Sequence, residues 1–145
     1  MNALERFFHG ADTRLGIFYP KDYLFAAFPS LDTAERVRLE LAGSGFRDDD
    51  VVVVPGEEVM RHAAEHWLGH GLRGRLMMEL SRLIDTEESY ADYDVRLALE
   101  GAGFVAVYCP GEEIKHKAWR HLSAYNPIAA RHYEFAGIDH LKGEA

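Results

Sequence analysis

The chain repeats one pattern of residues twice, and this repeat limits the possible folds more than any other feature. Residues 23–54 begin with an apolar run that closes at Pro29, continue with an acid-led stretch of helical periodicity, and end in a second apolar run. Residues 104–136 repeat this order, with Pro110 in the place of Pro29. Apolar runs stopped by proline predict strands, and apolar residues three and four positions apart predict helices. Each copy therefore predicts a β-α-β unit.

A chain of 145 residues falls in the size range of one compact domain. We divide residues 1–145 into a first β-α-β half at 23–54, a helical insertion at 57–103 and a second half at 104–141. The second half is predicted to end in a strand at 131–136, followed by a short closing turn. Within the insertion, helices are predicted near residues 57–68, 76–84 and 88–100. This order predicts an α+β fold of ferredoxin-like type, a β-α-β duplication with a four-stranded antiparallel sheet and two packing helices.

Three of the predicted strands are apolar at successive positions, namely the runs LFAAF, VVVV and FVAVY. A sheet that is covered on one face alternates apolar and polar residues, whereas continuous apolar runs indicate burial on both faces. Either the inserted helices cover the second face or a second chain packs on it. We predict a homodimer, because folds of this type commonly associate through their open face.

The charge of the chain argues against two classes of partner. It has 24 acidic and 16 basic side chains, which give a formal net charge of -8. Such a chain repels the phosphates of nucleic acids and anionic membrane surfaces. No apolar run approaches the roughly 20 residues that span a bilayer, and residues 1–19 show no export signal. We therefore predict a cytoplasmic protein that binds neither nucleic acid nor membrane.

One local motif matches a pattern of metal ligands. His62-Ala63-Ala64-Glu65-His66 has the spacing H-x-x-E-H, in which two histidines share one helix face and a glutamate can act as general base. Helical periodicity places His62 and His66 at the margin of the apolar face and turns Glu65 toward solvent. We interpret the motif as a structural helix margin and assign no metal residue. A metal site or metal-dependent hydrolase that uses these three residues, with His70 as a further ligand, is the alternative.

Two other side chains were candidates for chemistry. Cys109, the only cysteine, follows an apolar strand and is predicted to be a small buried apolar residue. His121 falls within the helical stripe of Ile114, Ala118 and Tyr125, so we expect it to point toward the sheet as a satisfied core histidine. The alternative is a small-ligand or haem site between sheet and helices, with His121 or a histidine of the insertion as ligand.

Three stretches carry a resemblance to known proteins: YLFAAFPSLDTAERVRLELAGSGF, YADYDVRLALEGAGFVAVYCP and ARHYEFAGIDHL. The chain resembles small bacterial proteins without an assigned function, which are related to the ferredoxin-like domains of general-stress proteins. The resemblance implies the fold and a stress-associated setting, and it carries over no catalytic or binding residue. We therefore predict a non-enzymatic cytoplasmic binding or regulatory module, with no catalytic or cofactor-binding residue and no cofactor.

Overall fold

The described secondary structure follows the predicted order up to the last predicted strand, after which the structure has one further strand. The computed structural model describes residues 2–11, 19–68, 90–135 and 137–142, without the side chains of 65–68 and 90–92. The α-helices in these residues are α1 (Ala3–Ala11), α2 (Leu31–Gly43), α3 (Gly56–Leu68), α4 (Tyr90–Leu99) and α5 (Glu112–Ser123). The strands are β1 (Tyr23–Phe28), β2 (Val51–Pro55), β3 (Gly103–Tyr108), β4 (Ala129–Glu134) and β5 (Gly137–Lys142). The helix predicted near 76–84 lies outside the described residues.

The described strands form one antiparallel sheet in the order β2-β3-β1-β4-β5. The sheet therefore has five strands, and the prediction of four is wrong by one. The segment expected to be a closing turn is β5, which pairs with β4 so that Glu134 lies opposite Gly137 and His132 opposite Asp139. The error arose because this short segment mixes apolar and charged residues, and its strand conformation depends on pairing with β4. The α+β class is confirmed.

The start of β3 lies against the start of α2. Ser30 caps α2 by accepting a hydrogen bond from the backbone N–H of Thr33 at 3.2 Å. A Cβ atom at Gly103 would lie 2.7 Å from the Cα of Leu31, closer than real Cβ contacts allow. Glycine at this position therefore lets the two backbones approach each other, which a side chain would prevent.

One face of the sheet is covered by α2 and α5. The buried residues of α2 are Ala34, Val37 and Leu41, and α5 adds Ala118 and Leu122. They pack against alternate residues of the central strands, Leu24, Ala26, Phe28, Val105 and Val107. These helices are the ones that the two β-α-β halves predict.

The opposite face is covered by α1 and by the inserted helices. Phe7 of α1 and Tyr93 and Leu97 of α4 join the buried cluster on this face, and α3 adds partly buried apolar residues. The rings of Phe7 and Phe25 stack with centroids 5.7 Å apart, and those of Phe25 and Phe104 with centroids 5.2 Å apart. The prediction that both faces are buried is confirmed, and one chain provides both coverings. The homodimer stays a prediction, but an open sheet face no longer argues for it.

Candidate functional site

Charged side chains are buried on both sides of β4. The buried polar residues in the described part of the chain are Asp94, Lys115, Arg131 and His132. Because successive residues of a strand point to opposite faces, Arg131 lies on the face covered by α4 and His132 on the face covered by α5. Buried charges require partners, and each of these two residues belongs to a different polar group.

The first group, which we call the lysine cluster, consists of Lys115, Glu112, Glu134, Asp139 and His132. The Lys115 side chain is only 5% exposed, and its Nζ donates to Asp139 Oδ2 at 2.8 Å, Glu134 Oε2 at 2.9 Å and Glu112 Oε1 at 2.9 Å. An ammonium group has three N–H donors, so this arrangement uses all of them. The cluster joins α5 to both β4 and β5.

The lysine cluster keeps Lys115 charged. Burial lowers the pKa of Lys115, but the hydrogen bonds to Asp139, Glu134 and Glu112 outweigh burial, and the net shift is upward. The hydrogen bond from Lys115, followed by that from His132, lowers the pKa of Glu134. A lysine that acts as a nucleophile or base needs a lowered pKa. Lys115 therefore acts here as a fixed cation that holds three carboxylates.

His132 connects the lysine cluster to the end of β3. Its Nδ1 lies 2.9 Å from Glu134 Oε2, and its Nε2 lies 2.8 Å from the carbonyl oxygen of Cys109. Both neighbours are oxygen atoms, so each ring nitrogen faces a hydrogen-bond acceptor. His132 is thus a bridge between two strands.

A cleft lies beside the lysine cluster at the β4–β5 turn. It has a volume of about 290 Å³ and is lined by Glu134, Gly137, Ile138 and Asp139. Two of these residues are carboxylates of the lysine cluster, in which three carboxylates surround one lysine. The cleft wall is therefore acidic, and Ile138 adds an apolar surface to it.

The second group is a buried ion pair between α4 and β4. Arg131 Nη2 lies 2.6 Å from Asp94 Oδ2, and the two side chains are 3% and 4% exposed. Arg131 Nε also donates to the Tyr133 hydroxyl at 3.1 Å, and the guanidinium lies 5.9 Å from the centroid of the Phe25 ring. Burial raises the pKa of Asp94, and the attraction of Arg131 opposes that shift. The pair links the insertion to the second β-α-β half.

The metal motif is only partly described. The His62 ring stacks on the Phe8 ring of α1, with centroids 4.6 Å apart and an interplanar angle of 29°. The side chains of Glu65 and His66, and the whole of His70, lie outside the described residues. Within the described part of the chain no three potential ligands converge on a metal position. The alternative metal site stays a prediction.

The placement predicted for His121 is wrong. Its Nδ1 lies 3.0 Å from Glu40 Oε2, so it pairs with α2 at a half-buried position rather than pointing into the sheet. Helix α5 is turned so that Lys115 is buried, whereas Ile114 is 41% exposed. The lysine cluster explains this rotation, because it provides partners for a buried ammonium. His121 therefore does not lie between sheet and helices, where the alternative ligand site would need it.

The prediction for Cys109 is confirmed. Its side chain is buried, and burial raises the pKa of its thiol to about 12. A reactive cysteine needs thiolate character near neutral pH, which this environment opposes. The thiol acts as a small apolar group in the core below α2 and α5.

The sequence interpretation missed the lysine cluster and the Arg131–Asp94 pair. A signal for them was present in ARHYE, which places two basic residues and a glutamate in a strand of a sheet predicted to be buried on both faces. A charge in such a strand requires a buried partner. The identity of that partner depends on tertiary contacts with residues 19 to 37 positions away, which no local pattern reveals.

Comparisons of the chain with protein-family models, with curated proteins and with solved structures find no match. Among the helices of the described segments, none combines the length and the apolar character needed to cross a bilayer.

Removing the lysine should destabilise the protein, since three carboxylates would then face one another. We expect Lys115→Met to lower the free energy of unfolding by about 2–3 kcal/mol at pH 7, less than for a fully buried pair because the carboxylates are partly exposed. Lys142→Met, at an exposed position of β5, is the matched control and should change it by less than about 0.5 kcal/mol. Denaturant titration measures both variants.

The effect of Lys115→Met should depend on pH. Because the pKa of Glu134 is lowered in the folded protein, its stabilising contribution is present above the ordinary value of 4.5 and is lost as pH falls through the lowered value. The difference between wild type and Lys115→Met should therefore shrink below about pH 4.5. A difference that stays constant down to pH 3 would contradict this role of the lysine.

Proposed function

We propose that this protein is a non-enzymatic binding or regulatory module built on a ferredoxin-like unit. Four adjacent strands in the order β2-β3-β1-β4, with α2 and α5 on one face, support this unit. Strand β5 and helices α1, α3 and α4 are then additions to it, and α1 and α4 cover its second face. A fold alone does not define an activity, so the proposal depends on the contacts and pKa values of the buried side chains.

The observation that carries the proposal is that, in the part of the chain that the structure describes, the buried groups capable of chemistry are engaged in structural contacts. Lys115 is bound by three carboxylates, and Arg131 is paired with Asp94. The Cys109 thiol is buried with a pKa raised to about 12. Catalytic groups have pKa values matched to proton transfer or nucleophilic attack, which these environments oppose. Such contacts favour a rigid scaffold.

The proposed setting is the bacterial cytoplasm under stress, with the protein acting as a homodimer. The resemblance to general-stress domains supports the stress association, and the net charge of -8 argues against nucleic-acid and membrane partners. Size-exclusion chromatography with light scattering tests the homodimer. A strictly monomeric protein at high concentration would contradict that part of the proposal.

The non-enzymatic proposal is tested against the metal-dependent hydrolase by metal analysis. Wild type and His62→Ala/His66→Ala are purified from medium supplemented with zinc, and their metal content is measured by mass spectrometry. The module proposal expects the same substoichiometric zinc content in both. One zinc ion per wild-type chain that is lost in the double variant would overturn the assignment of no metal residue and favour the alternative of a metal-binding protein or metal-dependent hydrolase. Glu65→Gln, which leaves both histidines in place, should keep such a zinc ion.

A further inference from the structure

The β4–β5 turn holds a large aromatic side chain in solvent. Phe135 is 90% exposed, the most exposed large apolar residue in the described part of the chain. The turn below it is braced by Tyr19, whose hydroxyl group donates to the carbonyl oxygen of Glu134 and lies 3.1 Å from that of Gly137. The Tyr19 ring packs edge-on against Tyr133, with centroids 4.9 Å apart. Because these contacts hold Glu134 and Gly137, the two residues lose little further freedom on binding, which makes Phe135 suited to an interface.

The surroundings of Phe135 differ in charge from the neighbouring cleft. The Lys21 ammonium lies 5.3 Å from the centroid of the Phe135 ring. The cleft that begins at Glu134 is lined by two carboxylates and by Ile138. The turn therefore presents an apolar group with a positive neighbour, directly beside a recess with an apolar patch and a negative wall. These two surfaces are complementary in charge.

The sizes of the two surfaces also match. A cavity of about 150 Å³ is enough to hold benzene. The cleft of about 290 Å³ is open to solvent, so it can receive one face or edge of a phenyl ring without enclosing it. A two-fold symmetric interface requires that the projecting group and its recess lie on the same patch of one chain. Phe135 and the cleft meet this condition because both belong to the β4–β5 turn.

We propose that two copies of the chain associate through their β4–β5 turns, with Phe135 of each copy seated in the cleft of the other. Lys21 of each copy then lies near the Glu134 and Asp139 carboxylates of its partner. This inference rests on the proposed homodimer and identifies the surface through which its two chains make contact. The contact involves one short turn of each chain, so we expect a weak dimer that forms only at high protein concentration.

Sedimentation equilibrium over a range of protein concentrations tests the surface. We expect Phe135→Ser to raise the dissociation constant of the dimer at least tenfold, because aromatic anchors dominate small interfaces. The matched control is Leu39→Ser on α2, at another exposed apolar position, which should leave the constant within about twofold. Lys21→Glu should weaken the dimer as well. Circular dichroism checks that all three variants are folded.

A cross-linking experiment locates the contact directly. Equal amounts of unlabelled and ¹⁵N-labelled protein are mixed and treated with a carbodiimide, which joins amines to carboxylates without a spacer. Peptides that join Lys21 of one isotope to Glu134 or Asp139 of the other would support the proposed surface. A dimer that is unchanged by Phe135→Ser and lacks these mixed peptides would overturn the surface but keep the homodimer. A protein that stays monomeric at all concentrations would overturn both.

Discussion

Arg131→Met is expected to lower the free energy of unfolding by about 3–5 kcal/mol, the usual cost of removing one partner of a buried ion pair. The variant leaves the Asp94 carboxylate buried, without the guanidinium that lies 2.6 Å from it in the wild type. Denaturant titration at pH 7 measures the loss. Hydrogen exchange should also show faster exchange of the α4 amides, because the pair links α4 to β4.

Two further variants separate charge pairing from packing. Arg131→Met/Asp94→Leu removes both charges and should recover most of the loss, since an apolar pair of similar volume is often as stable as a buried ion pair. Arg36→Met changes an arginine at an exposed position of α2 and should cost less than about 0.5 kcal/mol. A loss below about 1 kcal/mol in Arg131→Met, or no recovery in the double variant, would show that the pair does not carry this interface.

The second large effect is expected for Phe104→Ala, which should cost about 3–5 kcal/mol. Phe104 is fully buried on β3, between the edge strand β2 and the central strand β1, and its ring stacks on Phe25. Truncation removes this contact and leaves a cavity between the sheet and the inserted helices. Thermal and denaturant unfolding measure the effect.

The control for Phe104→Ala is Leu39→Ala, since it truncates an apolar side chain that is 63% exposed. It should change the free energy of unfolding by less than about 0.5 kcal/mol. If the two variants cost the same, Phe104 is not packed as the structure describes. A large loss in Phe104→Ala alone would support the second apolar layer beneath the insertion.

The elements that the sequence predicts best are those with strong local signals. Strand β1 has the predicted bounds, and β2 extends one residue beyond its predicted end. Helix α5 begins at Glu112 as predicted, because acidic residues favour the positive end of a helix. Burial of both sheet faces could also be predicted, because strands that are apolar at successive positions have no polar face to turn toward solvent.

The errors fall where distant residues decide the outcome. Strand β5 depends on pairing with β4, and the burial of Lys115 depends on carboxylates from two other elements. Hydrophobic periodicity placed Ile114 rather than Lys115 in the buried stripe. The periodicity considers only the apolar character of each residue, so it does not take account of ion-pair partners that are distant in sequence. His121 was misplaced by the same helical phase, and its actual partner is Glu40 of α2.

The amino-acid sequence by itself determined the two β-α-β halves, the burial of both sheet faces and the buried position of Cys109. Periodicity, capping and breaker residues act within a few positions of one another, so the chain specifies these features locally. Tertiary structure alone decided the strand order, the covering of the second face by α1 and α4, and the partners of Lys115 and Arg131. Those features depend on contacts between residues far apart in the chain, where geometry and charge pairing select one arrangement from several that the pattern allows.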